Sequence, residues 1–310
     1  MLDIHQLNVF LVAAETLNFT QAARQLHMSQ PSVSQHIQGL EKHFKETLFI
    51  RSGRNIELTD AGLELVPLAR EAVNLSTRIE ETMASSKGEI HGHLHVGCST
   101  TPGKYLLPHI LAQFHQSHPF VRATCHVVAQ TEVLQKVIDG DVHFSLASLN
   151  GVRSPELEFH RFYQDEILLV VPNGHPWATL TEIEPQDLYR EPFILREEGS
   201  GSYEALRVSL AEVGVSVKAM KTLLTLGNSE AITIAIQEGL GIGFISELLL
   251  DRLGQGQITP VKIRGVSIQR DIYITRHARR PATAAQTAFW DFIHSDSIKR
   301  RYWDVHPVTA

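Results

Sequence analysis

The chain has 310 residues, 43% of them hydrophobic and 20% charged, with a formal net charge of −6. That length predicts more than one domain, and the acidic balance excludes a broadly nucleic-acid-coating protein, so any such contact must be local. No apolar run approaches the ~20 residues of a membrane span, and two cysteines, Cys98 and Cys125, cannot make a disulfide framework.

Taken in chain order, Leu7, Phe10, Leu11, Ala14 and Leu17 lie on one stripe of a first helix from Ile4. Thr20 can cap a short second helix that turns Ala22, Ala23 and Leu26 inward. After a tight turn at HMS, Ser29 caps a third helix to about Phe44, with Pro31 in the first turn, where a missing N–H costs little. LFIRSGRNIELTDAG reads as two short strands around RSGRN, with an arginine on each side of the turn. Three helices and a small wing therefore occupy residues 4–60, the second and third helices joined as in a helix-turn-helix. Thr59 caps a longer helix from about Asp60 to Met83, in which Leu65, Leu68, Ala72, Leu75 and Ile79 step as in a coiled-coil seam. Pro67 sits near its start, and SSKGEIHGH, from Ser85, reads as a hinge.

Strands and helices then alternate, the rhythm of a parallel sheet with crossover helices. LHVGC, VRATCHVV and VHFSLA are strands, with helices after Pro102 and in TEVLQKVID. A second block starts near EILLVVP (Glu166–Pro172) and runs through FILR, a helix after GSGS, a strand at KTLLTL, a helix after Asn228, and GIGFI. RDIYIT and a helix from about Pro281 have no later partner and can return to the first block. The expected fold class is α/β overall, with a winged helix-turn-helix at 1–60, a dimerising linker helix and hinge at 61–87, and a two-lobed α/β domain at 88–310. Lobe I takes about 88–163 and 268–300 and lobe II about 164–267, with a cleft between them.

The third helix is unusual. Opposite its apolar Val33, Ile37 and Leu40 it carries Gln30, Ser32, Ser34, Gln35 and Gln38, where an ordinary solvated face would be mostly Lys and Glu. A helix reading DNA lies in a major groove about 12 Å wide and hydrogen-bonds to base edges, a task for Gln and Ser that carboxylates would oppose. Phosphate anchoring then falls to the wing arginines Arg51 and Arg54. From Arg24 to Arg54 the basic residues Arg24, Lys42, Lys45, Arg51 and Arg54 are opposed only by Glu41 and Glu46, so this patch is basic within an acidic chain.

NFTQAARQLHMSQPSVSQHIQGLEKHFKETLFIRSGRNIELTDAG closely resembles the N-terminal domain of LysR-type transcriptional regulators. AARQLHMSQPSVSQHI and the arginine, glycine and threonine positions of the wing fall at that family's spacing, with the helix-turn-helix core at about Asn18–Ile37. The resemblance covers the whole chain, most strongly its first 65 residues. It implies a homodimer through the linker helix, often a homotetramer, and an effector domain like a periplasmic binding protein. Implied partners are double-stranded DNA at an interrupted palindrome in promoter regions, RNA polymerase and a small-molecule effector. Two recognition helices would enter successive major grooves, and an effector that binds two lobe arrangements differently would change the DNA bend. Thr20, Gln30, Pro31, Ser32 and Ser34 are the expected DNA contacts with the two wing arginines. Gln35 is a separate candidate, because many members of the family have arginine there.

Ligands of parallel sheets gather where strands end and helices begin. Three such ends are rich in hydroxyls or amides: CSTTPGK (Ser99, Thr100, Thr101), REEGSGSY (Arg196, Ser200, Gly201) and LGNSEA (Asn228), while Thr131 opens a fourth helix. Free N–H groups at helix starts can hold an anion, and Arg196 could clamp it in bidentate fashion. The alternative is that these residues are ordinary N-caps and that Arg196 pairs with Glu197 or Glu198. The absence of bulky aromatics in these loops favours a small polar or anionic effector, such as a carboxylate.

His91, His93 and His95 alternate and would share one strand face, but no Cys or carboxylate converges with them in sequence, and no metal or cofactor is expected. Cys98 and Cys125 lack the basic flank that would favour a thiolate, and core packing is the expectation for them. The start, MLDIHQLNVF, shows no signal peptide, so the cytoplasm is the expected location and no membrane partner is expected. An enzyme or a solute-binding protein built on the α/β half is the alternative; no nucleophile elbow, phosphate loop or dinucleotide fingerprint supports an enzyme.

Overall fold

The computed structural model describes residues 2–52, 55–85, 88–149, 151, 153–254, 256–298 and 302. The chain forms two compact units, the first reaching His91 and including Ala282–Ala284, the second holding the rest.

The first unit begins with α1 (Ile4–Thr16), α2 (Phe19–Gln25) and α3 (Gln30–Phe44), followed by β1 (Phe49–Ser52), β2 (Asn55–Leu58) and α4 (Asp60–Ala84). Each helix start has a local cause. Asp3 Oδ1 accepts the His5 N–H at 2.9 Å, Ser29 Oγ accepts from Ser32 N, and Thr59 Oγ1 accepts from Gly62 N, each satisfying an otherwise orphaned donor. The second helix is capped by Asn18, not Thr20: Asn18 Oδ1 accepts from the N–H groups of both Thr20 and Gln21 at 3.0 Å. A planar amide at the Ncap position reaches two donors, and Thr20 already lies inside the helix. The turn into α3 puts His27 at φ 53°, in the left-handed region that non-glycine residues enter at a cost.

Phe10, Phe19 and Phe49 meet at ring centroids 5.2–5.6 Å apart and pack with Val33, Ile37 and Leu40 into one core. The expected seam on α4 divides. Leu65 and Ala72 pack on this core, whereas Leu68, Leu75 and Ile79 remain 63%, 46% and 56% exposed.

The second unit runs β3 (Gly92–Cys98), α5 (Thr100–Tyr105), α6 (Leu107–Ser117), β4 (Val121–Val127), α7 (Val133–Asp139), β5 (Phe144–Ala147) and β6 (Leu157–Pro172). It continues through β7 (Glu182–Ile183), β8 (Pro192–Arg196), α8 (Gly201–Glu212), β9 (Lys221–Leu226), α9 (Ser229–Gln237) and β10 (Ile242–Ser246). It ends with α10 (Glu247–Leu249), β11 (Ile258–Ile263), β12 (Gln269–His277), α11 (Ala284–Ile293) and α12 (Asp296–Ile298). The strand order is β4-β3-β5-β12-β6-β10-β8-β9, with β11 also on β6.

The parallel expectation holds within each lobe, for β4, β3 and β5 and for β10, β8 and β9. The junction is antiparallel: β12 pairs with β5 and β6, and β10 and β11 pair with β6. Strand β6 starts at Leu157, not near Glu166, and runs beside β12 from Leu157↔His277 to Glu166↔Gln269. Its first half, LEFHRFYQD, is too polar to read as a buried strand, because one face is only half covered. These two long strands carry the chain between the lobes. Phe193 stacks on Phe244 in one lobe, and Phe144 meets Phe289 in the other.

Candidate functional site

The helix-turn-helix presents Gln30, Pro31 and Gln35 exposed and Ser32 and Ser34 half-buried, while Val33, Ile37 and Leu40 are fully buried. Gln30 Nε2 donates to Ser34 Oγ at 3.0 Å, one helical turn on, so the two polar groups are pre-positioned along one edge. Thr20 is exposed at the start of α2. Of the two acidic residues in the basic patch, Glu41 is consumed by structure: its Oε1 accepts the N–H groups of Leu48 (2.9 Å) and Phe49 (3.4 Å) at the start of the wing. Arg51 lies on β1, in register with Ile56; its side chain, and Arg54 entirely, lie outside the described residues.

In the second unit the expected cleft residues separate into two groups. Ser200 Oγ accepts from Tyr203 N and Asn228 Oδ1 from Ala231 N, so both act as N-caps. Ser99 sits at the Ncap position of α5 but makes no capping hydrogen bond, and the helix starts at Thr100 rather than after Pro102. Thr131 does not open a helix: α7 starts at Val133, after Glu132. Thr131 instead faces Gly199, its methyl 3.8 Å from where a β-carbon on that glycine would lie. Thr101 is buried.

Arg196 does not stand free to clamp an anion. Its Nε and Nη2 donate to the two Glu197 carboxylate oxygens at 2.8 and 2.7 Å, and Nη1 donates to Ser229 Oγ at 3.3 Å. Burial alone would raise the Glu197 carboxyl, but hydrogen bonds from Arg196 hold it below the usual carboxylate range. A bidentate neighbour one residue away wins because it needs no ordering of a distant partner.

Between the lobes the structure brings together residues that sequence spacing did not reveal. Glu230, in the first turn of α9, accepts from Tyr105 Oη at 2.6 Å and from Lys104 Nζ, both on α5. These bonds, Lys104 first, hold the Glu230 carboxyl below its ordinary range. On the other side, a β-carbon added to Gly201 would collide with Ser148 Oγ at the end of β5 and come within 3.4 Å of Arg270 Nη1. Gln130 Nε2 donates to the Ser148 carbonyl. Ser148 Oγ and Gln130 Oε1 are buried without a hydrogen-bond partner among the described residues, a state that costs about 1–3 kcal/mol for each group.

Behind them lies a buried ion pair. Arg270 on β12 donates to Asp165 on β6 through Nε at 2.7 Å and to Ser202 Oγ through Nη1 at 2.9 Å, while Ser246 Oγ donates to Asp165 at 2.6 Å. This pair ties the start of α8 to both crossing strands. Its only sequence signal is a pair of charges at the start of each of two strand-like runs, QDEILLVV and QRDIYIT.

The histidine row becomes a cluster with other partners. His95 Nδ1 lies 3.1 Å from His126 Nε2, His93 Nε2 lies 2.7 Å from Thr124 Oγ1, and His143 Nδ1 accepts from His95 N. Burial, then the neighbouring imidazoles, lowers His95 to about 4 and His143 to about 3. Among the described residues no group of three or more His, Cys, Asp or Glu is arranged to hold a metal. None of the helices there is long and apolar enough to cross a membrane.

Two family models match the chain in succession. Residues 4–63 match the bacterial regulatory helix-turn-helix protein, lysR family, and residues 87–297 match the LysR substrate binding domain. The HTH-type transcriptional regulator CysL of Bacillus subtilis is 32% identical over 269 residues, covering 86% of this chain and 88% of its own. Full-length CbnR in a complex with its target DNA superposes with a TM-score of 0.68 at 20% identity, over 94% of this chain and 99% of that one. The regulatory domain of Synechocystis PCC6803 CcmR in complex with 2-PG superposes with a TM-score of 0.58 at 26% identity, over 66% of this chain and 96% of that one.

Proposed function

The chain belongs to the LysR family of DNA-binding transcriptional regulators with an effector-binding domain, and from that premise we propose that a small anion, such as a carboxylate, bound between its lobes controls its hold on DNA. It is a regulator, not an enzyme.

The observation that carries the anion reading is the Glu230 carboxylate on Lys104 and Tyr105. An internal carboxylate occupies the cationic side of the cleft, where a ligand carboxylate would be its competitor. The orphaned Ser148 hydroxyl and Gln130 carbonyl supply neutral partners, and Ser99 and Thr100 supply hydroxyls at the start of α5, beside the buried Thr101. The 2-PG complex of the similar CcmR domain supports a small ligand in this kind of domain. Replacing Glu230 by a ligand that binds one lobe arrangement better than the other shifts the population of lobe arrangements.

On the DNA side, Gln30, Pro31, Ser32 and Ser34 read base edges, with Gln35 and Thr20 at the margin, and Arg51 and Arg54 anchor phosphates. The exposed Leu68, Leu75 and Ile79 of α4 supply the dimer seam, and dimers pair into a tetramer that meets RNA polymerase at an interrupted palindrome. The test is binding of the purified full chain to its own upstream region and to random DNA, with and without a panel of small carboxylates. A preference for the upstream DNA that changes with one of the carboxylates is the expected result. A preference that none of them alters would leave the DNA reading intact and remove the anion reading.

A further inference from the structure

Cys98 and Cys125 lie on the adjacent parallel strands β3 and β4, which pair Val96 with Cys125 and Cys98 with Val127. Both side chains leave the sheet on the face opposite His93, His95 and His126, because strand side chains alternate. Their sulfurs are 3.1 Å apart. Cys98 is 0% exposed, whereas Cys125 reaches solvent. Strand β4 is the edge strand of the sheet, so it can yield without breaking a second ladder. We propose that this pair is a reversible thiol–disulfide site that reacts with oxidants of the hydroperoxide class.

The two thiols have different roles. Cys125 is the one an oxidant can reach, and the hydrogen bond from Cys98 lowers it to about 7, so much of it is thiolate at neutral pH. That same hydrogen bond, then burial, pushes the Cys98 thiol up, so Cys98 keeps its proton and donates it to the thiolate. A flanking thiol takes the place of the basic flank that the sequence lacks.

In the first step the Cys125 thiolate attacks the terminal oxygen of the hydroperoxide. An S–O bond forms, the O–O bond breaks, and the departing alkoxide takes a proton from solvent. Cys125 is left as a sulfenic acid. In the second step the Cys98 sulfur attacks the Cys125 sulfur; the S–S bond forms, the S–O bond breaks, and the Cys98 proton leaves with the hydroxyl as water. The two thiols lose two electrons, and the hydroperoxide is reduced to an alcohol and water.

Bond formation draws the sulfurs together to about 2.05 Å. Cys98 runs directly into Ser99–Thr101, and its sulfur packs so closely on Gly103 that a β-carbon there would collide with it. Oxidation therefore acts on the seat of α5, the helix that carries Lys104 and Tyr105. The chemistry of the two thiols does not depend on which effector the protein takes.

The test treats the reduced full-length protein with hydrogen peroxide, quenches in acid, alkylates free thiols and maps peptides by mass. The chain has only these two cysteines, so the readout is complete. The expected result is paired loss of both alkylation sites, a peptide cross-linking Cys98 to Cys125 within one chain, and full recovery with a dithiol reductant. Cys125→Ser should leave Cys98 alkylatable after the same exposure. Cys98→Ser, checked for an unchanged unfolding midpoint, should accumulate a dimedone-reactive sulfenic acid at Cys125. Two thiols that stay alkylatable, a bridge between chains instead of within one, or oxidation of Cys98 in Cys125→Ser would each overturn the proposal.

Discussion

Tyr105 Oη donates to Glu230 Oε1 at 2.6 Å, anchoring a carboxylate of one lobe on a helix of the other. If that carboxylate stands in for a ligand's, Glu230→Gln removes the competitor while keeping the shape. Calorimetric titration of the full chain with small carboxylates should then show several-fold tighter binding than the natural chain. Weaker binding would mean that Glu230 itself belongs to the ligand's contacts.

Gly201 is required for its size, since a β-carbon there meets Ser148 Oγ. Gly201→Ala should cost about 1–3 kcal/mol by overpacking, read as a lower urea midpoint with an unchanged slope. Ser148→Ala removes an orphaned buried hydroxyl and should leave the ligand-free protein as stable or more so. Adding Ser148→Ala to Gly201→Ala should recover part of the loss, because the alanine then has room.

On DNA, the side chains of α3 and the wing should behave differently. Gln30→Ala or Ser34→Ala should cost about 1–3 kcal/mol at one base pair and relax preference there. Arg51→Ala or Arg54→Ala should weaken all sequences and lower the salt slope by about 1 each. Gel-shift titrations at several salt concentrations distinguish the two patterns. A uniform loss from Gln30→Ala would remove that residue from base reading.

Acidification should weaken the effector-domain unit before it reaches the carboxylate range. His143 and His95 are held neutral when folded, at about 3 and 4, against ~6.5 when unfolded. The unfolded chain therefore binds more protons between these values, and stability falls as pH drops below ~6.5 and levels off below the folded values. For His143, mostly buried beside His95, His93, His126 and Arg280, the slope is about 1.4 kcal/mol per pH unit. His143→Gln should flatten the unfolding midpoint between pH 6.5 and 4.5, as read by thermal melts; an unchanged slope would count against the cluster.

The helix-turn-helix was legible because its signals are local. Periodicity set the helices, Ser29 and Thr59 sit where caps belong, and the glutamine–serine face is unlike a solvated one. Asn18 displaced Thr20 as a cap only because its amide reaches two donors, which spacing cannot reveal. Across the lobes the signals are long-range. Arg196 looked like a clamp until Glu197, its neighbour, took both ends of the fork. Glu230 and Arg270 act on residues more than a hundred positions away in the chain, where no periodicity reaches. The early start of β6 was hidden because polar residues cover the half of that strand lying along the rim of the sheet. The thiol pair was invisible for a related reason: only the β3–β4 register brings Cys98 to Cys125.

In the proposed effector complex Lys104 receives a ligand's anionic group in place of Glu230. The most direct measurement of that exchange is thermal unfolding of the full chain against inorganic phosphate and small carboxylates, beside Lys104→Met. A ligand at ~100 times its Kd adds about 2.7 kcal/mol, so at least one anion should raise the unfolding midpoint of the natural chain and lose most of that shift in Lys104→Met. An equal shift in both proteins, or none with any anion, would mean that Lys104 receives no ligand anion.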